Sequence, residues 1–158
     1  MPAVVARLKP VGQLAATNEL SLAIGLPLRD EAGLDRYLRE VYNPASPDYR
    51  HFLTPPEFTD RFGPTAEDYA RVQEFARTNG FVITQTYPNR LLVNVRANAG
   101  DIQRAFHIQL KRYRHPQEAR DFYAPDTNPT VSASLRMADV SGLSDYVRPH
   151  PLLTRVNP

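Results

Sequence analysis

The 158-residue chain has no cysteine and no tryptophan, two lysines among its 19 basic residues, and seven glycines. Without cysteine there is no disulfide framework, no thiol nucleophile, no thiolate zinc site and no iron–sulfur cluster. No apolar stretch reaches 18 residues, so no segment is expected to span a membrane. The first twelve residues carry Arg7 and Lys9 but no apolar h-region, and no secretory signal is visible. The net charge of +2 is too small to demand a polyanionic partner.

Proline, by contrast, is abundant. The 15 prolines are about twice the usual share of roughly 5%. Pro44, Pro47, Pro55, Pro56 and Pro64 fall in one stretch, and Pro116, Pro125, Pro129, Pro149, Pro151 and Pro158 in the last 43 residues. This spacing predicts folded blocks divided by an irregular insertion over 43–64 and followed by an extended tail.

Leu20, Leu22, Ile24 and Leu26 alternate at period 2 and predict a half-buried strand ended by Pro27. Asp30 can cap a helix whose Leu34, Tyr37, Leu38 and Val41 recur at helical spacing up to Asn43-Pro44. Within the insertion, Pro55-Pro56-Glu57 suits a first helical turn, and Tyr49, Phe52, Leu53, Phe58 and Phe62 predict that the loop folds back and packs. Thr65 and Asp68 resemble a capping box for a second helix carrying Tyr69, Val72, Phe75 and Ala76, with Gly80 as its C′ residue. Residues 81–87 and 90–97, joined by Pro88-Asn89, predict a hairpin. A short helix with Ile102, Ala105 and Phe106 inward follows, and 108–113 alternate as a fourth strand. The order is the split βαβ arrangement: an α+β, ferredoxin-like two-layer sandwich with a four-stranded antiparallel sheet and helices on one face. The expected divisions are a flexible N-terminus over 1–13, a core over 14–145 and an extended linker over 146–158.

Catalytic patterns are missing. None of the six serines lies in a G-x-S-x-G elbow or an S-x-x-K motif, and His51, His107, His115 and His150 form no metal-binding pair. Glu31 and Asp35 share a helix face but sit in its first turns, where negative charge suits the macrodipole. The run Lys111-Arg112-Tyr113-Arg114-His115 is the one basic cluster. Strand alternation sends Lys111 and Tyr113 to one side and Arg112 and Arg114 to the other, which argues for a charged strand edge over a nucleic-acid surface.

Several segments in register carry a family resemblance. They are the run from Asn43-Pro44-Ala45-Ser46-Pro47 through Tyr49-Arg50-His51-Phe52-Leu53-Thr54-Pro55-Pro56-Glu57-Phe58, then Asn89-Arg90, Ile102-Gln103-Arg104-Ala105-Phe106, Phe122-Tyr123-Ala124-Pro125, Pro129-Thr130-Val131 and Val140-Ser141-Gly142-Leu143-Ser144-Asp145. Together they resemble the activation prodomain of the sedolisins, the serine-carboxyl peptidases that include kumamolisins and tripeptidyl-peptidases. The resemblance covers roughly residues 14–151. It departs at Val131-Ser132-Ala133-Ser134-Leu135, where a second proline is common in the family.

The resemblance implies a non-catalytic propeptide of a secreted zymogen: an inhibitor and folding assistant of a catalytic domain in cis, removed by autoproteolysis at acid pH. It implies no catalytic residue and no cofactor here, because the family's Glu, Asp and Ser and its calcium site belong to the catalytic domain, so Glu31 and Asp35 are not its Glu-x-x-x-Asp pair. The chain is expected to be the front of a longer precursor with no nucleic-acid or membrane partner. The expected inhibitory and cleavage tail contains Arg148, His150, Leu152, Leu153, Thr154 and Arg155, with family-motif packing by Tyr49, His51, Phe52, Leu53 and Phe58. The four histidines are the candidate acid triggers. The competing readings are a free-standing ferredoxin-like binding module, for nucleic acid through the basic strand, and a small enzyme for which no constellation is found.

Overall fold

The computed structural model describes residues 3–148. A 3-10 turn (Ala3–Arg7) leads to β1 (Pro10–Gln13), β2 (Glu19–Gly25), α1 (Glu31–Tyr42), α2 (Pro55–Phe62), α3 (Ala66–Thr78), β3 (Val82–Thr86), β4 (Leu92–Asn98) and α4 (Ala99–Phe106). Then come β5 (Leu110–Arg114), β6 (Asp121–Pro125) and β7 (Asp139–Ser141). The chain is an α+β, ferredoxin-like split βαβ sandwich, with antiparallel sheets of four and three strands.

The main sheet has the order β3-β4-β2-β7. Leu20, Leu22 and Ile24 of β2 and Val93, Val95 and Ala97 of β4 point to one face and meet Val72 and Ala76 of α3 and Ile102, Ala105 and Phe106 of α4. Local chemistry sets the helix ends. The Asp30 carboxylate accepts the Gly33 N–H at 2.8 Å, and the Thr65 hydroxyl accepts the Asp68 N–H at 3.0 Å. Gly80 follows α3 at φ +79°, a left-handed turn that glycine takes without strain. In α2 the Glu57 carboxylate takes both the N–H and the hydroxyl of Thr54, which holds that carboxyl below the usual glutamate range.

The fourth strand of the main sheet is not the one expected. Residues 108–113 are expected as the fourth strand, but β7 takes that place, beside β2, with Val140 opposite Ile24. Strand β5 is instead the centre of a separate sheet, β1-β5-β6. The short turn over 115–120 lets β6 return at once along β5, a local pairing with little loop-closure cost, and β1 takes the other edge. The basic strand is therefore not an edge. The N-terminal segment packs on this sheet: Pro10 pairs with Tyr113 and Gln13 with Lys111, and Val5 is buried against Tyr113, Phe122 and Ala124. Val4, Val5 and Leu8 supply the apolar contacts that offset the entropy of ordering this end.

Helix α1 packs on α2, away from the main sheet. Tyr37 and Val41 form a cluster with Phe62, joined by Leu28, Leu34, Leu53 and Phe58. Leu38, expected on the inward stripe, is 42% exposed, and Tyr42 is exposed beside Phe52. Arg90 ties this helical pair to the β3–β4 hairpin. It sits in the turn at φ 57°, and its guanidinium donates to the carbonyls of Pro64 (2.7 Å) and Thr59 (3.2 Å). That two-pronged grip suits the rigid guanidinium fork and not an ammonium.

Candidate docking face and C-terminal arm

The described residues assemble no catalytic group. The Ser132 and Ser134 hydroxyls bond to each other, Ser141 donates to Asp139, Ser144 accepts the Tyr146 N–H, and Ser46 accepts the Asp48 N–H. His51 is exposed, and His107 caps α4 at φ 55°. Glu31 and Asp35 lie exposed on α1. No group of three or more metal-ligating side chains occurs among the described residues, and no helix among them is long and apolar enough to cross a membrane.

What the fold presents is a surface. The main sheet carries its helices on one face, leaving the other open. Strand alternation puts Glu19, Ser21 and Ala23 of β2, Asn94, Arg96 and Asn98 of β4, and Val82 of β3 on that open face. Ser21, Ala23, Thr84, Asn94 and Ser141 line a shallow depression of about 380 Å³ on it. Small and uncharged side chains at the centre, with the Glu19–Arg96 pair (3.3 Å) at one side, leave room for an approaching protein surface. Val82, 56% exposed, adds an apolar contact near the β3 edge.

The second feature is the arm that follows β7. Gly142 turns the chain at φ +96°, and Leu143 is buried in the main core. Asp145 then fastens the arm to β6: its carboxylate accepts the Tyr123 N–H at 2.7 Å, and the Tyr123 hydroxyl donates to the Gly142 carbonyl at 3.1 Å. Burial raises the Tyr123 phenol above its usual range, and the Asp145 charge adds to this, so the hydroxyl remains a donor. Arg120 donates to the carbonyls of Asp145 (3.0 Å) and Tyr146 (2.7 Å), while Arg148 pairs with the Asp145 carboxylate. Two segments far apart in sequence thus hold the chain up to Arg148.

The cations of the basic strand pair with two carboxylates, one in β6 and one just after it. Lys111 pairs with Asp126 at 3.1 Å, and Arg112 and Arg114 both face Asp121 at 3.7 and 3.5 Å. Tyr113 and His115 are buried. No stacking surface flanked by free cations is left on this strand for nucleic acid. Burial pushes the Asp126 carboxyl up, but the Gln109 N–H (2.9 Å) and the Lys111 ammonium outweigh it, and the net direction is down. A carboxyl depressed in the folded state stabilises above its unfolded value, about 3.9, and loses that contribution as pH falls through the folded value. Asp126→Asn is expected to cost about 1 kcal/mol at pH 7. The gap to the parent chain should narrow as the solution is made more acid than the unfolded value of about 3.9, which thermal unfolding at pH 7 and in acid checks.

The residues expected from the sequence to matter separate into three groups. Leu53 and Phe58 lie in the α1–α2 cluster, whereas Phe52 is 65% exposed and Tyr49 stacks on Arg50. The His51 ring is exposed, but its carbonyl accepts the Tyr37 hydroxyl, which itself accepts the Leu53 N–H at 3.1 Å. Arg148 is held by Asp145. His150, Leu152, Leu153, Thr154 and Arg155 lie outside the described residues. Sequence reasoning did not find Arg120, Tyr146 or the buried setting of His115. Asp145 closes the motif 140–145, but its fastening of the arm to β6 depends on a partner 22 residues away.

Among the described residues the chain is a ferredoxin-like sandwich with one open sheet face and a fastened C-terminal arm. Comparison with known families places it. The family described as Pro-kumamolisin, activation domain, matches residues 6–149. The chain belongs to that family, the non-catalytic propeptides of sedolisin-type peptidase precursors. It is 34% identical over 146 residues to Sedolisin of Pseudomonas sp. (strain 101), covering 91% of this chain and 24% of that protein. It is 35% identical over 125 residues to Xanthomonalisin of Xanthomonas sp. (strain T-22), covering 79% of this chain and 15% of that protein. The chain thus spans a quarter or less of the length of these relatives.

Proposed function

We propose that this domain inhibits a sedolisin-type catalytic domain in the same precursor, assists its folding, and is removed by autoproteolysis at acid pH. The observation that carries the reading is the arm: Asp145, Arg120 and Arg148 hold the chain at a defined point just ahead of the proline-rich segment. A segment with Pro149, Pro151 and Pro158 cannot form a helix or central strand, and extended chain is the form in which proteases bind peptides. Arg148, His150, Leu152, Leu153, Thr154 and Arg155 would lie along the substrate cleft while the open sheet face covers the catalytic domain. Tethering in one chain supplies the effective concentration, so modest intrinsic affinity suffices. The family's calcium site would belong to the catalytic domain, and the precursor would be secreted.

The test combines inhibition and processing. The inhibition constant of this chain against the separately produced catalytic domain should rise as pH drops from about 7 to 4, the range of histidine and carboxylate titration. N-terminal sequencing of the self-processed precursor should place a cut in or just beyond Leu152–Pro158. A first cut upstream of Tyr146, or an inhibition constant flat across that range, overturns the proposal.

A further inference from the structure

We infer that His115 is an acid-sensitive catch that holds the start of the C-terminal arm closed while its ring is neutral. His115 directly follows β5, and its side chain is 4% exposed. The ring stacks on that of Tyr146, with centroids 4.7 Å apart and planes 25° from parallel. Phe122 closes the pocket, 5.8 Å from His115 and 5.0 Å from Tyr146. Tyr146 thus meets the domain through a histidine and a phenylalanine from the two strands of one hairpin.

The imidazole is held in one protonation state by its hydrogen bonds. Nδ1 accepts two backbone N–H groups, from Gln117 at 3.2 Å and Glu118 at 3.0 Å. It must therefore carry a lone pair, which leaves the proton on Nε2, facing the Glu118 carboxylate at 3.6 Å. The backbone of the same turn is closed by the His115 N–H on the Arg120 carbonyl (2.9 Å) and the Arg120 N–H on the Glu118 carbonyl (2.8 Å). Within this turn Arg120 grips the arm's backbone and His115 its aromatic ring.

A proton added at Nδ1 turns the acceptor into a donor aimed at two donors. Both N–H groups lose their partner, and a cation is created in a pocket walled by Phe122 and Tyr146. The charged and titratable groups around it are few. Glu118 favours the cation, but it already pairs with Arg120. Arg120 opposes it, and Asp145 is engaged by Arg120, Arg148 and the Tyr123 N–H. Tyr113, on the same strand, lies against Phe122, and burial raises its phenol, so it carries no compensating charge. The N-terminal turn adds Val4, Val5 and Leu8, which are apolar. A ring protonated at Nδ1 cannot accept from the Gln117 and Glu118 N–H groups, so acid favours the open arm. Losing the two hydrogen bonds, partly offset by Glu118, corresponds to an about tenfold rise in the open population of the arm.

The consequence for zymogen release rests on the propeptide reading, but the catch itself belongs to this chain and is tested on it alone. In ¹⁵N-resolved spectra from pH 7.5 to 4.5, the amides of Gln117, Glu118 and Tyr146 should leave their closed positions together as the His115 ring titrates. The amides of β2 and β4 should stay in place. In His115→Asn the amide oxygen replaces Nδ1 as acceptor and cannot titrate, so the step should vanish; His115→Gln serves if that variant is unstable. A step that persists unchanged in either folded variant, or a His115 ring that titrates in the parent chain while those amides stay still, overturns the catch. If the step occurs but the chain inhibits no sedolisin-type domain, only the propeptide reading falls. If inhibition weakens equally with acid in parent and variant, only the catch falls.

Discussion

Phe106→Ala is expected to lower the melting temperature by about 6–20 °C, the largest effect of any single substitution considered. Phe106 is fully buried at the end of α4 and meets two other rings, Phe75 of α3 at 5.8 Å and Phe81 at 5.9 Å. Phe75 and Phe81 meet each other edge-on at 6.2 Å, so the three rings close a triangle between the two helices and the start of β3. Removing one ring takes away its transfer free energy and leaves a cavity that two mutually braced rings cannot collapse to fill. Truncations of this kind cost about 3–5 kcal/mol, against a total stability of about 5–15 kcal/mol. Each kcal/mol shifts the midpoint of a domain this size by about 2–4 °C. Phe106→Leu, which keeps most of the volume, should lose less than half as much. Calorimetry on both variants checks this, and a shift under about 3 °C for the alanine variant would contradict the packing described.

Gly142→Ala is expected to cost about 3 kcal/mol and to act mainly on β7 and the arm. Gly142 has φ +96°, where an L-residue is strained, and a Cβ there would lie 2.3 Å from the Ser21 carbonyl oxygen and 3.1 Å from Leu22 Cδ2. The Ser21 carbonyl is backbone in the middle of β2, so relief must come from β7 moving outward. That motion breaks the Tyr123–Gly142 hydrogen bond and lifts the start of the arm. Beyond a lower melting temperature, hydrogen exchange should therefore quicken across β7 and residues 143–146 ahead of β4. Uniform acceleration over the whole sheet would place the strain elsewhere.

These two sites differ in how far they can be read from the sequence. Phe106 follows from helical spacing with Ile102 and Ala105, and its burial required only that α4 cover the sheet. Asp30, Thr65 and Gly80 mark helix ends because a cap is a contact between residues three or four apart, and the local sequence contains both partners. The 81–97 hairpin is legible for the same reason. Gly142 offers no such signal: its need for glycine comes from the Ser21 carbonyl, 121 residues earlier.

The expected fourth strand is instructive. Residues 108–113 alternate as a strand should, and they form one, with Tyr113 inward and Arg112 and Arg114 outward. Periodicity reports that a segment is a strand and which side faces in, but it carries no information on the neighbouring strand. Three segments competed for β2 and β5: 10–13, 121–125 and 139–141. The first two took β5, and the third took β2. The pairing of 10–13 has the same origin, since a four-residue exposed strand is set by its neighbour and not by its own pattern.

The absence of thiol chemistry, the missing catalytic motifs, the helix and hairpin positions and the family all lay in the sequence by itself, because each depends on residue identity or on contacts within a few residues. The open sheet face, the paired state of the basic strand and the His115–Tyr146 stack were decided by tertiary structure alone. They join residues from fewer than ten to more than a hundred positions apart, at distances of a few ångströms that strand pairing and packing set.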